Sequence, residues 1–146
     1  MKLDGTFTVR SPREKAWAFF LDPKALSVAI DDPHTIEVVD RDHFKGTIKA
    51  GVAFIKGTFT WSAAVKERTE WERARIQVHG SGMGSAFDID STVEFSESDG
   101  LTKIRYTADV VINGTVATVG ARFLRGTIDK KTNEFFENVR TKLTAG

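Results

Sequence analysis

The 146-residue chain contains no cysteine. That excludes a disulfide framework, thiolate catalysis and cysteine zinc sites. Histidine is scarce: His34, His43 and His79 form no i, i+4 pair and have no neighbouring ligand set. They read as surface residues, and no metal site is expected. No apolar run approaches membrane-spanning length, and the start Met1-Lys2-Leu3-Asp4-Gly5 has no apolar leader core. The expectation is a soluble cytoplasmic protein. Neither sign of charge dominates, with 21 Lys and Arg against 20 Asp and Glu, whereas dedicated nucleic-acid binders carry a strong basic excess. Few amides and 28% charged residues lean toward a heat-adapted source. The length fits one domain, residues 1–146, able to bury about two-thirds of its unfolded surface.

What is present is an alternation of period two. From Phe44 to Ile112, every second residue in successive segments is apolar or small: Phe44, Gly46, Ile48 and Ala50, then Ile55, Gly57, Phe59, Trp61, Ala63 and Val65. The series continues through Ala74, Ile76, Val78, Phe87, Ile89, Ser91, Val93 and Phe95 to Ile104, Tyr106, Ala108, Val110 and Ile112. Lysines, arginines, carboxylates and two histidines fall on the other face. Such alternation marks half-buried antiparallel strands. Segments near 35–41, 43–51, 53–66, 71–80, 86–96 and 101–112 are separated by turn chemistry, including Ser98-Asp99-Gly100 and a glycine cluster. A further strand covers Lys2 to Arg10.

Between the first strand and this meander, Ser11-Pro12-Arg13-Glu14 reads as a helix start. Ser11 is positioned to cap, Pro12 presets φ, and Glu14 completes a capping box. Asp22-Pro23 repeats the signal for a second short helix through about Ile30. After Asn113-Gly114 the pattern turns helical from Thr115 to roughly Lys142, although its apolar stripe shifts by about 120° midway. Gly120 and Gly126 sit in that helix. They allow close packing on the sheet, room for a ligand, or a hinge at Gly126. The order strand, two short helices, six-stranded antiparallel meander and long C-terminal helix is an α+β, helix-grip architecture. In it a bent sheet grips the terminal helix, and a cavity opens between them.

Several stretches resemble the CoxG family of carbon monoxide dehydrogenase accessory proteins. They are Met1-Lys2-Leu3-Asp4-Gly5-Thr6-Phe7-Thr8-Val9 with the following Ser11-Pro12-Arg13-Glu14-Lys15-Ala16-Trp17, and Gly51-Val52-Ala53-Phe54-Ile55-Lys56-Gly57-Thr58-Phe59. Gly80-Ser81-Gly82-Met83-Gly84-Ser85-Ala86-Phe87, Thr102-Lys103-Ile104-Arg105-Tyr106, Gly120-Ala121-Arg122-Phe123-Leu124 and Phe135-Phe136 extend the likeness along the chain. The resemblance implies a START-like (SRPBCC) fold that binds hydrophobic ligands, and an accessory role beside a molybdenum-containing carbon monoxide dehydrogenase or related oxidoreductase. It also implies a quinone-carrying or membrane-recruiting role. Two features depart from the family pattern. Ile30-Asp31-Asp32-Pro33-His34 replaces the usual Ile-Pro-Gly turn, and the longer tail that anchors some members is missing from a sequence ending at Gly146. Membrane contact is therefore expected to be peripheral at most, at the inner face of the cell membrane.

Other candidate chemistries are weighed against the alternation. Asp88 and Asp90 share a face, but Phe87 and Ile89 claim the interior, so the carboxylates belong outside and not in a glycosidase cleft. Gly80-Ser81-Gly82-Met83-Gly84 precedes no helix, so it is no phosphate loop. It is expected to border the cavity mouth through Gly82, Met83 and Gly84. Phe59, Trp61 and Phe87 face away from Lys56, Arg73, Arg75, Lys103 and Arg105, which argues against a nucleic-acid groove.

The reading is a non-enzymatic binding or carrier protein for a hydrophobic small molecule, with an isoprenoid quinone or lipid implied by the resemblance and no other cofactor. Its ligand-lining residues are expected to be Ile55, Phe59, Trp61, Ile76, Val78, Phe87, Ile89, Tyr106 and Ala108 from strands. Gly120, Phe123, Leu124 and Thr127 join them from the helix. Tyr106, Trp61, Ser91 and Thr127 are the polar handles available inside. The alternatives are a cyclase- or dehydratase-like enzyme, which needs a tuned acid or base facing the substrate, and an assembly or recruitment factor with a filled core and no ligand.

Overall fold

Apolar residues alternating with charged ones build one seven-stranded antiparallel sheet, in the order β1-β7-β6-β5-β4-β3-β2. The computed structural model describes residues 1–52 and 55–145. Along the chain run β1 (Lys2–Val9), α1 (Arg13–Leu21), α2 (Pro23–Val28), β2 (His34–Asp40), β3 (His43–Val52), β4 (Ile55–Thr69), β5 (Arg73–Gly82), β6 (Ser85–Ser98) and β7 (Leu101–Gly114). A 3-10 turn (Thr115–Val119) and the long α3 (Ala121–Ala145) follow. This is the helix-grip architecture. Ala53, Phe54 and Gly146, which entered the strand and family readings, lie outside the described residues.

Register carries the alternation across the sheet. Phe7 pairs with Ile104, Ile104 with Phe95, Ile89 with Val78, Val78 with Ala63, and Ala63 with Phe44. Each apolar residue therefore shares one face with the next. Two hairpins turn on two-residue loops with positive φ at both positions, Met83-Gly84 (53° and 69°) and Asp99-Gly100 (53° and 76°). That backbone matches the right-handed strand twist.

Three local expectations are corrected. α1 begins at Arg13 with Pro12 as its N-cap residue and no side-chain cap from its own chain neighbours. Ser11 Oγ donates instead to the Pro12 carbonyl, and the Arg13 N–H donates to Glu97 Oε1 at the end of β6. A carboxylate 84 residues away thus replaces the expected capping box. Glu97→Ala is expected to cost about 1 kcal/mol in a denaturant titration. α2 does start as read, with Asp22 Oδ1 accepting from the Lys24 N–H at 3.0 Å and Pro23 in the first turn.

The second correction concerns the last helix, which does not start at Thr115. Residues 115–119 wind as a 3-10 turn, and Gly120 breaks the chain direction at φ +100°, ψ 147°, a conformation essentially confined to glycine. The midway shift of the apolar stripe comes from this break: Val116 and Val119 belong to a different helix from Leu124. The third concerns Gly126. A Cβ there would have no neighbour within 4 Å, which removes the close-packing alternative at this position.

Two buried clusters fill the concave side. The first joins Phe7, Val9, Trp17, Phe20, Phe95 and Ile104 to Val139 and Leu143 of α3. Edge-on ring contacts of Trp17 and Phe20 with Phe95, both at 5.6 Å, knit it together. The second joins Ile55 and Phe59 to Val116 and Leu124. α2 is held to β2 by His34, whose Nδ1–H donates to the Asp32 carbonyl at 2.7 Å while Nε2 accepts from the Ser27 hydroxyl at 2.5 Å. The carbonyl can only accept, which assigns the tautomer. His34 is thus half-buried, unlike the exposed His43 and His79 and against its reading as a surface residue.

Candidate functional site

Between the two clusters lies a strip of concave surface that belongs to neither. By register it contains Phe44 of β3, Trp61 of β4, Ile76 and Val78 of β5, Ile89 and Ser91 of β6, and Ala108 of β7. All are half-buried. A packed α+β core would bury such residues fully. In the same rows Ala63, Val65 and Val110 are buried, so the partial exposure belongs to the residues named and not to the whole middle of the face. No carboxylate, imidazole or ammonium group occurs among these strip residues.

Glycines shape the strip at Gly46 and the cluster borders on either side of it. A Cβ on Gly80 would collide with the Phe87 ring, and one on Gly57 with Met83 Sδ. A Cβ on Gly5 would meet Tyr106 Oη at 2.6 Å, and one on Gly46 would meet the Trp61 ring at 2.9 Å. On four strands, then, a large side chain lies down over a glycine instead of standing into the interior. Rings covering strand glycines also stabilise the sheet.

Polar handles divide into used and unused. Ser91 Oγ donates to the Ile76 carbonyl at 2.9 Å and is satisfied by the sheet. Tyr106 stacks on Phe136, centroids 4.9 Å apart and planes 24° apart, and its hydroxyl bonds to none of the described residues. Burial first, then the carboxylates of Asp129 and Asp4, push this phenol above its ordinary range. It therefore stays a neutral donor at physiological pH, and stability falls as pH rises from about 10, where the unfolded phenol ionises first. Trp61 Nε1 and Thr127 Oγ1 likewise bond to no described residue.

The expected site residues are distributed as follows. Trp61, Ile76, Val78, Ile89 and Ala108 line the strip, and Tyr106 borders it from the first cluster. Ile55, Phe59 and Leu124 are buried in the second cluster, with Phe87 packed against it, so they form its end wall. Thr127 is half-buried on α3. Met83, 46% exposed, reaches back over Gly57 beside the second cluster, with Gly82 and Gly84 flanking it in the hairpin. Two residues depart from expectation. Phe123 is 49% exposed while its neighbour Leu124 is buried, and Gly120 is exposed outside α3. Both were placed inward by reading one continuous helix through the break. The glycine cradles went unread because they need strand pairings that periodicity alone does not supply.

The convex face carries the charge. A trough of about 470 Å³ there is bordered by His43, Lys45, Gln77, His79, Asp88 and Asp90, with Ser62 and Ala64 at its base. His79 meets Asp88 at 2.7 Å, and Arg75 grips Asp90 with two bonds of 2.7 and 2.9 Å. The Arg75 hydrogen bonds hold Asp90 below the usual carboxylate range. Its contribution to stability is present above the unfolded aspartate value and is lost as pH falls through the lowered folded one. These are solvated, paired carboxylates, as the alternation implies. Among the described residues no group of three or more His, Cys, Asp or Glu is arranged to hold a metal.

With this geometry in view, the comparisons are specific about the fold. A solved structure of a conserved protein from Geobacillus kaustophilus is 22% identical, with a TM-score of 0.92 over 99% of this chain and 96% of that one. A Thermus thermophilus protein is 12% identical at TM-score 0.74, covering 99% and 98% of the two chains. The Zhui aromatase/cyclase from a Streptomyces species is 11% identical at TM-score 0.75, covering 99% and 93%. No curated protein matches the chain. At these identities the likeness shows the START-like, cyclase-type fold and nothing finer. The model of one sequence family does match, over residues 5–144. The chain belongs to the carbon monoxide dehydrogenase CoxG family.

Proposed function

We propose that this protein is a non-enzymatic carrier for a hydrophobic small molecule, held between the concave sheet and α3. The observation that carries the reading is the half-buried apolar strip, free of titrating side chains. Burial of apolar ligand surface there would contribute about 25 cal/mol per Å² before ordering costs. The Tyr106 hydroxyl, which bonds to none of the described residues, suits a ligand with a carbonyl or similar acceptor at one end, which an isoprenoid quinone or a lipid provides. Family membership supports a place beside a carbon monoxide dehydrogenase-like molybdenum oxidoreductase. A cyclase of this fold would need an acid or base at the strip. Tyr106, held neutral, supplies a donor and not a base.

The end nearest the second cluster suits exchange with an anionic bilayer. Stretches 49–58, 80–87 and 112–125 contain Lys49, Lys56, Arg122 and Arg125 and no carboxylate, and they expose Met83 and Phe123. No helix among the described residues is long and apolar enough to cross a membrane. Native mass spectrometry of freshly purified protein is the test. An apolar molecule should co-purify, be lost from the cavity-filling variant Ala108→Phe, and transfer to phosphatidylglycerol vesicles. A ligand-free protein that takes up neither quinone nor lipid would sink the proposal.

A further inference from the structure

The opposite end of the sheet carries a second surface that the carrier reading does not use. A groove of about 650 Å³ lies on the convex face, lined by Arg13, Arg73, Lys103 and Arg105 with the carboxylates of Glu72 and Glu94. Register explains the assembly: Arg73 pairs with Glu94 and Glu94 with Arg105 on adjacent strands, while Lys103 lies opposite Ser96. Arg73 meets Glu67 at 3.2 Å. Among the described residues, the side-chain charges of Arg13, Lys103 and Arg105 enter no ion pair. Within the lining, then, three cations are left without an ion pair, while Arg73 is held by Glu67.

At one end of the groove stands the β4–β5 turn, Glu70-Trp71-Glu72, joining Thr69 to Arg73. Trp71 is 41% exposed and has φ +67°. A bulky residue in the left-handed region is an outlier that glycine or asparagine would occupy at lower cost. Folding gains little in return, since much of the indole faces water. At the other end Leu101 is 40% exposed. Tryptophan and arginine around a groove are the residues that dominate binding energy at protein interfaces.

We propose that this end is a docking surface for an acidic segment of a partner protein, with Trp71 as its apolar anchor and Arg73, Lys103 and Arg105 as its carboxylate contacts. A protein segment fits because it can set isolated carboxylates on Arg13, Lys103 and Arg105, place apolar side chains on the exposed Trp71 and Leu101, and leave Glu72 and Glu94 opposite neutral residues. The docking surface is independent of the ligand strip on the concave face.

The probe is a fluorescein-labelled ten-residue peptide of alternating glutamate and leucine, titrated in anisotropy at low ionic strength. Binding should weaken at least tenfold in Arg73→Glu/Arg105→Glu and about fivefold in Trp71→Ala, and should fade with added salt. Trp71→Gly and Trp71→Asn should lose the peptide yet melt at a higher temperature than the parent, because they relieve the left-handed backbone. A merely structural tryptophan would give the reverse, a lower melting temperature with unchanged binding. The proposal is overturned if the glutamate–leucine peptide fails to bind, if the charge-reversed double variant binds it equally, or if a ten-residue oligothymidylate or phosphatidylglycerol vesicles compete for this end more strongly.

Discussion

Replacing Ile104 by alanine is expected to destabilise the protein by about 3–5 kcal/mol, whereas Ile89→Ala should cost about 1 kcal/mol. The two side chains have the same chemistry, sit on neighbouring strands and face the same side of the sheet. Ile104 is 0% exposed inside the first cluster, between Phe7 and Phe95 in register. Its removal loses the full transfer energy and leaves a hole in rigid surroundings. Ile89 is half-buried in the strip between clusters. Part of its surface already meets solvent, so both the transfer loss and the cavity penalty are smaller. Denaturant titrations of both variants decide the matter. Equal losses would mean that the strip is packed, and the carrier proposal would fall with it.

The second large effect belongs to Gly80→Ala. The new methyl occupies the place of the Phe87 ring. That ring must rotate up from the sheet and shift from its edge-on contact with Phe59 at 6.2 Å. Overpacking of this kind costs about 1–3 kcal/mol, and the displaced ring enters the volume available to a ligand. Binding of an apolar probe should drop tenfold or more. Gly5→Ala repeats the experiment under Tyr106 on the far strand. Gly126→Ala is the control of opposite sign: nothing neighbours it, so alanine should stabilise α3 by about 1 kcal/mol and leave binding unchanged. Retained probe binding in both strand variants would show that the rings have other places to lie.

The legible and illegible features separate on physical grounds. Alternation reveals which face each side chain takes, because a strand's period is two whatever its neighbours are. The charged face and the paired Asp88 and Asp90 follow from the same rule. Asp22-Pro23 and Asp99-Gly100 are local signals and act locally. The Glu97 cap of α1 is not local, since 84 residues separate donor from acceptor. Val116 and Val119 continue a helical spacing that the Gly120 break interrupts without erasing. Trp71 looks like any aromatic in a polar turn until its backbone angle is known.

The two borders of the sheet differ in what they offer another chain. β2 is the outermost strand beside β3, and its pairing runs in register only from His34 to Val38 before slipping ahead of Asp40. A stray segment seeking to extend the sheet there would find five matched positions, with the acidic Glu37 among them, and then a twist it cannot follow. Fibre growth from this border should stall early.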